Sequence, residues 1–100
     1  MKTIRPEVLL ILKQGAEIDR RESLKGKKDA IDILTLLIYA PLNLEKYTEL
    51  LKKYKLTKYI DELTFVIDNF DKVYIPHLFM DVRKFEKWKK EFLSILKMLP

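Results

Sequence analysis

Charged side chains gather where two apolar segments of the chain meet. Lys13 and Arg20 stand seven residues apart, so in a helix they share one face. Asp29 and Asp32 are three residues apart and share one face of the following helix. A short loop between two helices makes them antiparallel neighbours. We therefore expect the cations at the end of the first helix, Arg21 included, to reach the two aspartates.

This cluster has two interpretations. As structure, it is a set of salt bridges that fixes two helices. Asp32 is flanked by apolar residues and is then expected to lie near the core, where a carboxylate needs a cation. As a binding site, it is a basic surface that faces a phosphate, with its side chains held in position by the aspartates. The candidate phosphate- or nucleotide-facing residues are Lys13, Arg20, Arg21, Lys25, Lys27, Lys28, Asp29 and Asp32. Spacing alone favours the structural interpretation.

Helical periodicity runs along the whole chain and predicts an all-α fold, a single compact domain of about five helices over residues 1–100. We expect helices over residues 6–21, 29–39, 44–54, 58–70 and 82–98, with Asn43, Thr57 and Asp81 as caps. Residues 23–28, around Gly26, are predicted to form a loop, and residues 71–80 a connection with a short helical turn. Gly15 lies inside the first helix, which indicates the close approach of a neighbouring helix.

The last predicted helix carries an apolar seam with alternating spacings of three and four residues, a pattern typical of helix packing. Either this seam closes the core of the domain, or its aromatic residues dock on another subunit. The seam contains Phe85, Trp88, Phe92, Ile95 and Leu99, and the first four are the candidate interface residues.

Composition and charge limit the classes of protein to which this chain can belong. The net charge is +5 and is concentrated in residues 20–28 and in the last helix, which attracts phosphates or an acidic protein surface. Richness in Lys and Glu also occurs in thermophile proteins. There is no cysteine, and no apolar run approaches the length of a membrane span. We expect a cytoplasmic protein without a membrane partner.

Residues 10–34 resemble the C-terminal helical region of archaeal minimal nucleotidyltransferases and, more distantly, the nucleotidyltransferase toxins of abortive-infection systems. The pattern K-x-x-A-x-x-x-R begins at Lys13, and K-D-x-x-D begins at Lys28; the resemblance covers about residues 6–70. In these families a catalytic domain precedes the helices and transfers a nucleotidyl group from a nucleoside triphosphate with magnesium. The resemblance implies that Lys13, Lys28, Asp29 and Asp32 face the nucleotide cleft.

The chain departs from that family in the catalytic residues. It has no Gly-Ser dipeptide and no strand with an Asp-x-Asp pair, and only five residues precede Pro6. Phosphoryl transfer depends on metal-bound carboxylates and a phosphate cradle. We therefore expect no catalytic residue, no metal site and no cofactor, with magnesium and a nucleoside triphosphate relevant only if another chain supplies the catalytic domain. The single histidine, His77, has no partners for acid–base catalysis.

Three functions remain. The first is a non-catalytic helical domain that docks on a nucleotidyltransferase-like chain or forms a homo-oligomer, and we favour it. The second is a binder of nucleic acid or nucleotide phosphates through the basic residues 20–28. The third is the helical half of a nucleotidyltransferase that is completed in trans.

Overall fold

The computed structural model describes residues 5–40 and 42–98, and within them the chain forms five α-helices and one 3-10 helix but no strand. The helices are α1 (Pro6–Arg20), α2 (Leu24–Tyr39), α3 (Leu44–Lys53), α4 (Tyr59–Asp68) and α5 (Val82–Lys97), and the 3-10 helix (Lys72–Leu78) joins α4 to α5. The all-α prediction is confirmed. No helix in the described ranges has both the length and the apolar character needed to cross a membrane.

Side-chain caps begin most of the helices. Asn43 and Asp81 each accept a hydrogen bond from the backbone N–H three residues further on, at 3.1 and 2.8 Å, as the sequence predicts. The prediction of Thr57 as a cap is wrong, because α4 begins two residues later, at Tyr59. The backbone carbonyl of Thr57, and not its hydroxyl, accepts the hydrogen bond from the N–H of Ile60.

The turn between α1 and α2 is shorter than the sequence indicates. Ser23 caps α2 by accepting a hydrogen bond from the N–H of Gly26 at 3.2 Å, so Gly26 belongs to the first turn of a helix. The predictions of a loop over residues 23–28 and of a helix that starts at Asp29 are therefore wrong. The reason is steric, since a Cβ atom at Gly26 would lie 1.9 Å from the backbone oxygen of Arg20. Only glycine permits this turn.

Antiparallel pairing of α1 and α2 forms the frame of the domain, and α3 and α4 pack against α1. Gly15 faces α4, where a Cβ atom would lie 3.4 Å from the hydroxyl oxygen of Tyr59. The nearest neighbour is the end of a side chain and not the backbone of α4, so the structure shows contact at Gly15 but not an approach that only glycine permits.

A buried polar link crosses this frame. Gln14 is buried in α1; its Nε2 donates to the backbone oxygen of Tyr59 at 3.0 Å, and its Oε1 accepts a hydrogen bond from the hydroxyl of Tyr47. Burial raises the pKa of Tyr47 above its ordinary value. Both polar ends of Gln14 are thus satisfied, as a buried amide requires. The surrounding apolar core consists of Leu10, Ile33, Leu34, Leu37, Tyr47, Leu51, Leu63, Val66, Ile67, Ile75, Leu78, Phe85, Phe92 and Leu96.

The apolar seam of α5 packs against this core, and one of its buried residues differs from the predicted one. Phe85 and Phe92 are buried, as the core interpretation expects, but Ile95 is 46 % exposed and Leu96 is buried in its place. In a straight helix an interval of eleven residues returns to the same face, so Leu96 and not Ile95 follows Phe85. Leu99 lies outside the described residues.

Candidate functional site

The charged cluster is a set of ion pairs that joins the first two helices. Lys13 Nζ lies 3.1 Å from a carboxylate oxygen of Asp32, and Arg20 Nη2 lies 2.8 Å from one of Asp29. As the residue number rises along α1 it falls along α2, which is the antiparallel arrangement that the sequence predicts. The prediction that cations of α1 reach both aspartates is confirmed.

The burial of Asp32 differs from the prediction, and it is Asp29 that is buried. The Asp29 side chain is 6 % exposed, whereas that of Asp32 is 37 % exposed. The prediction that Asp32 lies near the core is therefore wrong. Asp29 belongs to the buried face of α2, three residues after Gly26 and four before Ile33, and Asp32 lies at the edge of that face.

Arg21 has other partners than the sequence predicts. Its Nε and Nη2 atoms donate to the two carboxylate oxygens of Glu17 at 3.0 and 2.8 Å, and Nη2 also donates to Glu62 in α4 at 2.5 Å. The Cζ atom lies 4.3 Å from the centroid of the Phe65 ring. The hydrogen bond to Glu17, supported by Glu62, raises the pKa of Arg21 despite the opposing effect of burial. Arg21 thus joins α1 to α4.

The candidate phosphate-facing residues divide into two groups. Five of them, the members other than Lys25, Lys27 and Lys28, are engaged in ion pairs. These three lysines are exposed near the start of α2, and none lies within 4.0 Å of a carboxylate in the described part of the chain. They are the cations of this region that remain open to an external anion.

A cleft of about 260 Å³ lies beside this region, between the α1–α2 turn, α4 and the 3-10 helix. Arg21 and Lys27 contribute cationic side chains to its lining, and Phe65, Phe70 and Tyr74 contribute aromatic ones. Glu17 and Asp71 also line the cleft, and Arg21 is paired with Glu17 and Glu62, so Lys27 is the cation in this lining that has no ion pair in the described part of the chain. Aromatic faces beside a cation suit a planar ligand.

The candidate interface residues of α5 do not form one accessible surface. Phe85 and Phe92 are buried in the core of the domain and do not present their rings to a partner. Trp88 is partly buried and stacks on Phe92, with ring centroids 5.1 Å apart. Ile95 is exposed, on the other side of Trp88 from the buried stripe. The core interpretation of the seam therefore accounts for Phe85 and Phe92.

Several exposed apolar side chains lie close together in the sequence at the 3-10 helix, which the sequence presents as a connection. Side chains three residues apart are eclipsed in a 3-10 helix. Ile75 and Leu78 form its buried edge, whereas Val73 and Pro76 form an exposed edge that continues toward Phe79. Phe79 is 90 % exposed, and Val82 at the start of α5 is also exposed. We call Val73, Pro76, Phe79 and Val82 the Phe79 surface. Val73 and Pro76 share one edge of the 3-10 helix by their spacing of three, whereas Phe79 and Val82 follow the end of that helix at Leu78. The spacing of Val73 and Pro76 is the signal that sequence reasoning missed.

The backbone of Phe79 is left-handed. Its φ and ψ angles are 59° and 37°, and its N–H donates to the backbone oxygen of Pro76 at 3.0 Å. This conformation costs an L-residue about 1–2 kcal/mol. The hydroxyl of Tyr39 in α2 donates to the backbone oxygen of Leu78 and so fixes the segment to the domain.

Within residues 5–40 and 42–98 no group of three or more His, Cys, Asp or Glu side chains is placed to hold a metal ion. His77 is exposed, with its ring centroid 5.9 Å from that of Tyr74. Comparison of the chain with models of known protein families, with curated proteins and with solved structures finds no match.

Proposed function

We propose that this domain is a non-catalytic helical interaction module that docks on a partner protein through the Phe79 surface. The observation that carries the proposal is Phe79 itself, a large aromatic side chain that is 90 % exposed on a left-handed backbone. Aromatic side chains that enter a partner's pocket are the usual energetic centres of protein interfaces.

The fold gains little from a phenylalanine at this position. An exposed ring buries almost no apolar area, and glycine adopts the left-handed conformation without the strain. Residues that keep a strained backbone conformation with no gain in packing are found most often at functional sites. Val73, Pro76 and Val82 lie within six residues of Phe79 in the sequence and are also exposed, so exposed apolar side chains are concentrated in this segment.

Charge favours a different protein over a second copy of this chain as the occupant. The domain carries a net charge of +5, and Lys72, Arg83 and Lys84 adjoin the Phe79 surface in the sequence. The carboxylates of Asp71 and Asp81 also adjoin this surface and accept hydrogen bonds from backbone amides, so three cations stand against two carboxylates beside it. We therefore expect a partner with an apolar pocket and acidic groups around it. Because the sequence of α1 and α2 resembles the C-terminal helical region of archaeal minimal nucleotidyltransferases, a cytoplasmic nucleotidyltransferase-like chain is the first partner to examine.

Replacement of Phe79 by glycine is expected to weaken binding to the partner about 30-fold or more, the loss typical of a removed hot spot. The same change is expected to leave the free domain at least as stable as the original, because relief of the left-handed strain offsets the greater freedom of glycine in the unfolded chain. The partner is captured by a photoreactive benzoylphenylalanine at position 79, purified, and titrated against both forms.

Tyr54 offers the matched control, since it is an exposed aromatic residue on another part of the domain. A photoreactive group at position 54 is expected not to capture the same protein, and Tyr54→Gly is expected to leave its affinity unchanged. The proposal fails if capture is equal from both positions, if Phe79→Gly binds as tightly as the original, or if the only protein captured is a second copy of this chain.

A second candidate function is the binding of nucleic acid or nucleotide phosphates by Lys25, Lys27 and Lys28. It is favoured by the exposure of these lysines beside a cleft that Lys27 and several aromatic rings line. No acidic residue in the first turn of α2 balances them, although negative charge is preferred there.

The test of this second function is a triple variant with glutamine at positions 25, 27 and 28, titrated with a mixed-sequence oligonucleotide. If the three lysines contact phosphates, affinity falls and the salt dependence weakens, because fewer counterions are released on binding. An unchanged affinity and salt dependence would exclude these lysines as the phosphate-binding residues.

A further inference from the structure

The outer face of α5 carries a line of cations. Arg83, Lys87, Lys90 and Lys97 are spaced four, three and seven residues apart, which places them on one side of the helix, and all are exposed. At a rise of 1.5 Å per residue the line extends about 21 Å. Ser94 is the residue of this face that lies between Lys90 and Lys97. We call these four cations the α5 stripe.

The charge of α5 is not balanced by its own acids. The helix contains six cations and two carboxylates, those of Glu86 and Glu91. In the described part of the chain the ion pair that α5 makes is between Lys89 and Asp68 of α4, at 3.7 Å, and it involves no member of the α5 stripe. The stripe is therefore open to an external anion along its whole length.

The charges of α5 offset one another only in part. Arg83, Lys87 and Lys90 repel one another at spacings of three and four residues, and Glu86 and Glu91 lie at the same spacings and attract them. The Asp81 side chain caps the helix N-terminus, where the helix dipole favours negative charge. Six cations against two carboxylates leave α5 with a net charge of +4, which an anion outside the domain can neutralise.

We propose that the α5 stripe binds the phosphodiester backbone of a nucleic acid. Nucleic-acid interfaces are polar and strongly positive, and serine commonly joins lysine and arginine in contacts with phosphates. Binding through this face needs no change in the fold, because the opposite face of α5 already packs in the core.

Other anionic surfaces fit this face less well. The cores of protein interfaces are depleted in lysine and contain aromatic anchors, and the α5 stripe has none. A helix that lies on a membrane buries its apolar face in the lipid. In α5 that face is used by the domain itself, through Phe85, Phe92 and Leu96.

The inference does not rest on the Phe79 surface or on the lysines of α2. Its test is a variant of the full chain, Arg83→Gln with Lys87→Gln and Lys90→Gln, titrated by fluorescence anisotropy with labelled 20-mers of single-stranded DNA, duplex DNA and RNA at about 50–200 mM salt. The matched control has the same net charge, with the exposed residues Lys46, Lys52 and Lys55, which belong to neither candidate phosphate site, changed to glutamine. Substitution by arginine at positions 87 and 90 keeps the charge of the stripe.

We expect the unmodified chain to bind with an affinity that falls steeply with salt. The α5 variant should bind at least about 10-fold more weakly, and its slope of log K against log salt should be lower by about 2–3, since each phosphate contact contributes about 0.7–0.9. The arginine form should retain both affinity and slope. A preference among the three 20-mers identifies the kind of nucleic acid.

Four results would overturn the inference. The first is the absence of binding at low salt. The second is an equal loss of affinity in the α5 variant and in the matched control, which would mean that binding depends on net charge alone. The third is a loss confined to the separate variant with Lys25, Lys27 and Lys28 changed to glutamine, which transfers the phosphate site to α2. The fourth is equally tight, stripe-dependent binding of polyglutamate or of anionic lipid vesicles. All the changed residues are exposed, so thermal unfolding is expected to show that each variant remains folded.

Discussion

Replacement of Gly26 by alanine is expected to destabilise the domain by about 3 kcal/mol, at the upper end of the range for steric overpacking. The added Cβ would lie 1.9 Å from the backbone oxygen of Arg20 and 2.5 Å from its carbonyl carbon. Both neighbours are backbone atoms, so relief requires a displacement of the whole α1–α2 turn. A loss of this size lowers the melting temperature of a domain of 100 residues by about 12–20 °C.

Gly15 is the matched control, because it also lies inside a helix. A Cβ at Gly15 would meet the Tyr59 hydroxyl at 3.4 Å, the end of a side chain and close to ordinary van der Waals contact. Alanine is favoured over glycine in a helix by about 1 kcal/mol. Gly15→Ala is therefore expected to be neutral or stabilising. Unfolding in urea measures the free energy of unfolding of both variants. Similar changes in the two would contradict the steric explanation for Gly26.

Gly26 also shows why one boundary was wrong. Helix propensity treats every interior glycine alike, as an unfavourable residue that marks a loop. At Gly26 the deciding quantity is the distance to the backbone of the preceding helix, which a single sequence does not contain. Ser23, three residues before Gly26, is the local signal for the true start of α2, since serine is a strong N-cap.

The sequence predicts that ion pairs join α1 and α2, but it does not predict every carboxylate that a given cation contacts. The antiparallel arrangement of α1 and α2 follows from their short connection, and it brings Lys13 and Arg20 to the aspartates of α2. Which aspartate is buried depends on the rotation of α2, and the misplaced start of that helix concealed it. The pairing of Arg21 with Glu62 joins residues 41 positions apart and follows only from the packing of α4 on α1.

The candidate docking surface was missed for a different reason. An apolar residue in a sequence is assigned to the core by default, and the seam of α5 was therefore the natural place to seek aromatic anchors. The core uses Phe85 and Phe92, and the domain leaves Phe79 outside. Exposure of an aromatic residue depends on which elements cover it, and the 3-10 helix turns its other edge toward the core.

Loss of the Arg21 side chain is the second change expected to have a large effect. In Arg21→Met the aliphatic part of the side chain is retained and three hydrogen bonds to carboxylates are lost. The Glu17 side chain is 6 % exposed and would be left as a buried charge without a cation. Removing one partner of a buried ion pair costs about 3–5 kcal/mol. We expect about 3 kcal/mol, because Arg21 and Glu62 retain some contact with solvent.

The pair of Lys13 and Asp32 supplies the control, since both side chains are about one-third exposed and the pair joins α1 to another helix, α2, as Arg21 and Glu62 join α1 to α4. Exposed ion pairs contribute about 0–1 kcal/mol, so Asp32→Ala is expected to change the free energy of unfolding by less than about 1 kcal/mol. Because the pKa of Arg21 is raised from an already high value, its charge persists over the accessible pH range. Equal losses in the two variants, measured by urea unfolding at neutral pH, would mean that Glu17 is solvated in the variant and that α4 does not depend on Arg21 for its position.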